Sequence, residues 1–246
     1  MPEGRRRRSD VIELDVAPTA IPLALADLHA SLPVGAQVSL HFDAPPTSPI
    51  TPAQVVAGAG FEVRSDTSGH AVPVEAVRAD TLADTVTASM RILFCGFNPS
   101  LHAARTGVPY AGPGNRFWPA LLASGLATRG RDPRHALEHH GVGMTDLVKR
   151  ATPRAADLDR RELRDGLARV DALARWLRPA LICIVGLGAW RQATSQQTEP
   201  GRQARTIGDR PVYLMPSTSG LNAATSLDLL VEHLLTVDGL ALQGPP

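Results

Sequence analysis

Residues 180–185 read Ala-Leu-Ile-Cys-Ile-Val, apolar at every position. A strand with one wet face alternates, so an unbroken run this short is a strand covered on both faces. Residues 91–95 and 212–215 have the same character, and 142–147 is a weaker strand candidate. Between these runs the apolar residues fall at helical spacing. Residues 115–126 place Phe117, Trp118, Leu121 and Leu122 on one side, and 157–177 place Leu163, Leu167, Val170, Leu173 and Leu177 near one face. Shorter helices are expected at 188–194 and 223–235. Asp157 is the expected N-cap of the long helix and Pro179 its stop. Residues 96–114, rich in Gly and Pro, read as one long loop. Strands buried on both faces and alternating with helices predict an α/β fold, with a central, mostly parallel sheet between helical layers.

The first third of the chain differs. Residues 1–10 are polar and basic and read as a disordered start. Residues 18–32 have helical spacing, Pro33-Val34-Gly35 is a turn signal, and 36–42 alternate as a strand. Thr51 can cap a helix through 54–59 that ends at Gly60, and 61–64 and 72–78 are two further strand candidates. Residues 80–89 are small and polar and read as a linker, which places a boundary between 88 and 89. Charge divides at the same point. Residues 1–89 carry six Arg against eleven acidic side chains, and 90–246 carry nineteen basic against thirteen acidic, so the second unit is the candidate for a polyanion. On Leu28-His29-Ala30-Ser31-Leu32-Pro33-Val34-Gly35 and Gly58-Ala59-Gly60-Phe61, residues 20–80 resemble the C-terminal half of a class I methyltransferase. The glycine-rich cofactor loop of that family is absent, so the resemblance implies a small α/β fragment, non-catalytic, serving as an accessory or docking module.

Composition excludes several classes. Cys95 and Cys183, the only cysteines, cannot build a disulfide framework or a four-cysteine metal site, and both fall in apolar runs. No apolar run approaches the roughly 20 residues that span a bilayer, and no signal-peptide pattern follows Arg5 to Arg8, so the expected compartment is the cytoplasm. Lys149 is the sole lysine and lies outside any motif, which argues against Schiff-base chemistry. His135 and His139 have i, i+4 spacing without the acidic partner of a zinc motif, and read as a solvated helix end. Gly186-Leu187-Gly188 follows a strand but lacks the third glycine of a dinucleotide loop.

Ligands of such sheets bind beyond the carboxyl ends of the strands. Two loops of unusual composition fall there: Gly96-Phe97-Asn98-Pro99-Ser100-Leu101 and Pro216-Ser217-Thr218-Ser219-Gly220-Leu221. Between them runs Pro109-Tyr110-Ala111-Gly112-Pro113-Gly114-Asn115-Arg116-Phe117-Trp118. With the weaker match Gly143-Met144-Thr145-Asp146-Leu147-Val148, these tracts resemble the mismatch-specific uracil/thymine-DNA glycosylase family of the uracil-DNA glycosylase superfamily, over residues 90–240.

The resemblance implies a uracil-DNA-glycosylase-like three-layer fold for 89–246. The activity it implies is hydrolysis of uracil, thymine or ethenocytosine from mispairs with guanine in double-stranded DNA, by a monomer needing no cofactor or metal. A base in a duplex must be extruded before a protein can work on it. In the implied site Asn98 positions the attacking water, and the backbone N–H of Phe97 meets a base carbonyl. Tyr110 stacks on the extruded ring. Asn115 lies near the base, with helix capping as its competing role. Gly220, Leu221 and Asn222 form the wedge that fills the vacated stack, while Ser217 and Ser219, with helix-terminal N–H groups, grip phosphates. His102, in the first motif loop, is a candidate contact to sugar or phosphate. Ala223 stands where the family often has Arg, and Ser217 where some members have Asn. A DNA-binding or partner-docking protein without turnover is the alternative.

Overall fold

The computed structural model describes residues 11–64 and 73–244. The expected disordered start at 1–10 lies outside the described residues.

Thr51 begins the helix of the first unit as its chemistry dictates. Its hydroxyl accepts the Gln54 N–H at 3.2 Å while the Gln54 side chain accepts the Thr51 N–H at 3.0 Å. The unit runs β1 (Val11–Leu14), α1 (Ile21–Ser31), β2 (Gln37–Phe42), α2 (Pro52–Gly58), β3 (Phe61–Val63) and β4 (Val74–Arg78). Its sheet has the order β1-β2-β4-β3, with β1 and β2 parallel and the other pairs antiparallel. Gly60, at φ +88°, turns the chain so tightly against His29 that a Cβ there would lie 2.7 Å from Nε2. His29 is buried edge-on to Phe61, and burial, then the nearby Arg78, pushes its imidazole down to about 4.

Residues 80–89 are packed, contrary to the linker expected from their polarity. Asp84 is 3% exposed, and its carboxylate receives Arg169 Nη1 at 2.7 Å, Lys149 Nζ at 2.8 Å and Thr145 Oγ1 at 2.7 Å. Thr85 and Met144 exchange both backbone hydrogen bonds at 2.9 Å, and Leu82 and Val86 are buried. Composition missed this because the polar groups here are satisfied inside the protein, by partners more than 60 residues away.

The second unit comprises β5 (Ile92–Gly96), α3 (Leu101–Thr106), α4 (Phe117–Ala123), α5 (Pro133–His140), β6 (Val142–Asp146), α6 (Arg160–Leu177), β7 (Leu181–Val185), α7 (Leu187–Thr194), β8 (Gly201–Ile207), β9 (Arg210–Met215) and α8 (Leu227–Gln243). The sheet order is β6-β5-β7-β9-β8; the first four strands are parallel and β8 is antiparallel to β9. Successive strand residues go to opposite faces. Leu93, Cys95, Ile182, Ile184, Val212 and Leu214 pack on the α6 side, in one core with the first unit. Ile92, Phe94, Cys183, Val185, Tyr213 and Met215 pack on the side of α4 and α8. The three layers are those expected, and α6 lies so close to the sheet that a Cβ on Gly166 would be 2.1 Å from the Leu147 carbonyl oxygen.

Several boundaries differ from expectation. The cap of α6 is Asp159, paired with Glu162 in a capping box, while Asp157 closes a 3-10 turn with Arg154. Within 96–114 the chain forms α3, because Ser100 caps it and Gly107 ends it in the left-handed region. α8 starts at Leu227, capped by Ser226, and not at residue 223. Residues 223–225 are held in a turn, the Thr225 side chain accepting from Asn222 and its carbonyl from Arg116. β8 and α5 were not expected. β8 is an exposed, Arg-rich edge strand with no apolar pattern. Among the described residues no helix is long and apolar enough to cross a membrane.

Candidate active site

Parallel pairing brings the carboxyl ends of β5, β6, β7 and β9 to one edge of the sheet. The loops leaving that edge enclose a hollow of about 290 Å³. Gly96 to Ser100, Tyr110, Asn115, Asp146, Thr152 and Ser217 to Gly220 all line it. The two loops singled out from sequence thus face each other across one cavity.

Asn98 is held by its nitrogen. Nδ2 donates to the Thr152 hydroxyl at 2.8 Å, the Arg150 carbonyl at 2.9 Å and the Pro99 carbonyl at 3.1 Å. Among the described residues nothing donates to Oδ1, which leaves an oriented acceptor on a residue that lines the cavity. The clamp is itself braced. Thr152 N–H donates to the Pro99 carbonyl at 3.1 Å, and the Arg150 guanidinium is pinned by Glu162 at 2.7 and 2.8 Å. Phe97 lines the hollow, its carbonyl accepts from Val148 at 2.9 Å, and its ring rests against Gly186 and Gly188. That ring occupies the space over the glycine pair, where a dinucleotide would need to approach the backbone.

Tyr110 has φ +57° and stacks one face on Phe117, with ring centroids 3.9 Å apart. Its hydroxyl is buried and has no hydrogen-bond partner among the described residues. Asn115 does cap: its Oδ1 accepts the Phe117 N–H at 2.9 Å, which leaves its amide nitrogen for the cavity it lines.

In the second loop Leu221 is 95% exposed and, unlike Gly220 before it, does not line the hollow. Asn222 is a structural brace, with its amide donating to the Ser217 carbonyl at 2.8 Å and Thr225 Oγ1 at 3.0 Å. Ser217 and Ser219 each accept a loop N–H at 3.3 Å. α8 begins only at Leu227, so the helix ends beside these serines are those of α7, whose cap Gly186 packs on Ser217, and of α4, whose cap Arg116 donates its N–H to the Thr218 carbonyl at 2.9 Å. Arg116, to which sequence reasoning gave no role, holds the loop from below through the Asn222 carbonyl at 2.6 Å and the Ser219 carbonyl at 3.3 Å. Gly220 packs against Gly114, where a Cβ would meet the Gly114 carbonyl oxygen at 2.9 Å.

Asp146 is the second residue that sequence reasoning left without a role. It ends β6 in the cavity wall, 7% exposed. Burial pushes its carboxyl up to about 6, with Asp84 adding to the effect and Lys149 and Arg169 opposing it. A carboxylate at the carboxyl end of a buried strand is the signal that could have found it. His102 is partly buried on α3 and does not line the hollow. His135, His139 and His140 cluster on α5, where Asp132 Oδ1 is taken by the His135 N–H, and they do not bring three metal-ligating atoms together among the described residues.

A model of the uracil DNA glycosylase superfamily matches residues 83–235. Among solved structures the chain is similar to a solution NMR structure from Methanosarcina acetivorans, provisionally named a uracil DNA glycosylase. Identity is 22% over 65% of this chain and 96% of that one, with a TM-score of 0.48.

Proposed function

Because the chain belongs to the uracil DNA glycosylase superfamily, whose members are DNA N-glycosylases, we propose that it is a monofunctional enzyme that removes uracil from mispairs with guanine in duplex DNA. Thymine and ethenocytosine are further candidate bases in the same pairing. The observation that supports this reading is Asn98: three acceptors fix its nitrogen and leave Oδ1, on a residue that lines the hollow, without a donor among the described residues.

The proposed chemistry follows from that geometry. The extruded nucleotide enters the hollow, with Leu221 filling the stack it vacates. Asn98 Oδ1 accepts a hydrogen bond from a water and points the water's lone pair at the sugar C1′. The N-glycosidic bond breaks, its electron pair leaves with the base, and the water oxygen bonds to C1′. The water's surplus proton passes to solvent or to the departing base. An amide is too weak a base to remove a proton early, so positioning and stabilisation of the separating charges supply the rate. In this reading the amide nitrogen of Asn115, which bonds to none of the described residues, donates to a base carbonyl.

The test is release of free base from duplexes carrying G·U, G·T, G·ethenocytosine and A·U pairs. Release is expected from G·U, and Asn98→Ala should lower it by at least about a hundredfold while duplex binding survives. Wild-type turnover in Asn98→Ala would refute the assigned role. Salt-dependent duplex binding with no release from any of the four would favour the docking alternative, for which Ala223 in place of the family's Arg is the supporting feature.

A further inference from the structure

Asp146 is a buried carboxyl with nothing holding it. Among the described residues no group donates a hydrogen bond to either of its side-chain oxygens, although it is 7% exposed and lines the hollow. The Tyr110 hydroxyl, also buried and without a partner among the described residues, approaches the same point. A Cβ on Gly96 would lie 2.5 Å from Asp146 Oδ1 and 3.2 Å from the Tyr110 hydroxyl, so the glycine keeps open the space that both groups address. A buried hydroxyl is nearly always paired, and its convergence with a carboxyl that lines the cavity marks the place of a ligand's polar edge.

Uracil and thymine present an N3–H donor between two carbonyl acceptors. A neutral carboxyl matches half of that edge with two parallel bonds: its C=O accepts N3–H and its O–H donates to the adjoining carbonyl. A carboxylate can only accept, so its second oxygen would face the carbonyl lone pairs. We infer that Asp146 reads the imide edge of the extruded pyrimidine in its protonated form, so that uracil removal requires a proton on this side chain.

The groups around Asp146 agree with this. Lys149 is committed to Asp84, and Arg169 to Asp84, Thr145 and the Asp146 main-chain carbonyl, so neither cation bonds the carboxylate. Asp84 faces it with a negative charge, and Cys95 and Tyr110 contribute buried neutral groups. Burial, the largest influence, already pushes the carboxyl up to about 6. Seating a base would exclude further water and push the same way.

This inference rests on the glycosylase reading above, and its test separates the two. Single-turnover release of uracil from G·U duplex, at saturating enzyme, is measured from pH 5.5 to pH 8.5 for wild type and Asp146→Asn. The wild-type rate should fall at least about tenfold across that range, while the asparagine variant, whose amide offers a donor and an acceptor at every pH, should stay within about threefold. Parallel profiles for the two proteins would overturn the inference and leave the glycosylase reading standing. No release by either protein at any pH would overturn both. Should the variant fail to fold, inhibition of the wild-type enzyme by free uracil serves: it should weaken at least about tenfold between pH 6 and pH 8.5, and equal inhibition would refute the proton requirement.

Discussion

Replacing Arg169 by Met tests whether a buried ion network fastens residues 80–89 to the sheet. The guanidinium donates to Asp84 Oδ2 at 2.7 Å, Thr145 Oγ1 at 3.0 Å and the Asp146 carbonyl at 2.6 Å, all of them buried. Methionine replaces much of the volume and none of the charge. Removing one partner of a buried pair costs about 3–5 kcal/mol. Lys149 would still hold Asp84 at 2.8 Å, which places the expected loss near the lower end, about 3 kcal/mol. For a chain of this length that corresponds to a fall in melting temperature of about 6–12 °C by scanning calorimetry. A second signature is the acid limb. Burial alone would raise the Asp84 carboxyl, but Arg169 and Lys149 outweigh it and hold the group below its ordinary value. A depressed carboxylate stabilises the fold above its unfolded pKa and loses that contribution as pH falls through the folded one. Arg169→Met should therefore begin to unfold at a higher pH than wild type. A melting temperature lowered by less than about 2 °C would refute the reasoning. So would strictly additive effects of Arg169→Met and Asp84→Asn.

Two further perturbations separate surface function from architecture. Leu221→Ala removes a side chain that is 95% exposed. It should change stability by less than about 0.5 kcal/mol in denaturant titration, yet slow G·U release roughly tenfold if the leucine replaces lost stacking. Asp159→Ala should lose about 1 kcal/mol, because Asp159 accepts the Glu162 N–H at 2.8 Å. Asp157→Ala, outside the helix cap, should lose less than half as much, and the reverse order would contradict the assignment.

The parallel sheet was legible because its strands carry their evidence locally: 180–185 is apolar throughout, and 212–215 nearly so. The two facing loops were legible because Gly, Pro, Asn and Ser cluster where strands end. What escaped was set by tertiary partners. Residues 80–89 look like a tether until Arg169 and Lys149 are placed around Asp84. β8 owes its existence to pairing with β9, not to its own residues. Asp157 and Asp159 are chemically equivalent candidates for one cap, and only Glu162, three residues after Asp159, decides between them. In the site, Asn98 stood out by its motif, but nothing in the spacing says that its nitrogen is clamped and its oxygen free. Asp146 was passed over although it ends a strand, because that position alone does not separate a ligand group from a paired acid, and that no described residue donates to its carboxylate is visible only in three dimensions.

Asp84 and Thr85, the latter bridged to Met144, lie before residue 89, on the near side of every glycosylase motif. A shortened chain that began there would retain all of those motifs and forfeit the counter-ion beneath them. Lys149 would lose its counter-ion and Arg169 one of its three partners, and the two positive charges, no longer offset by Asp84, would favour the ionised form of Asp146. The leading segment thus sets the electrical condition of a pocket to which it lends almost no surface.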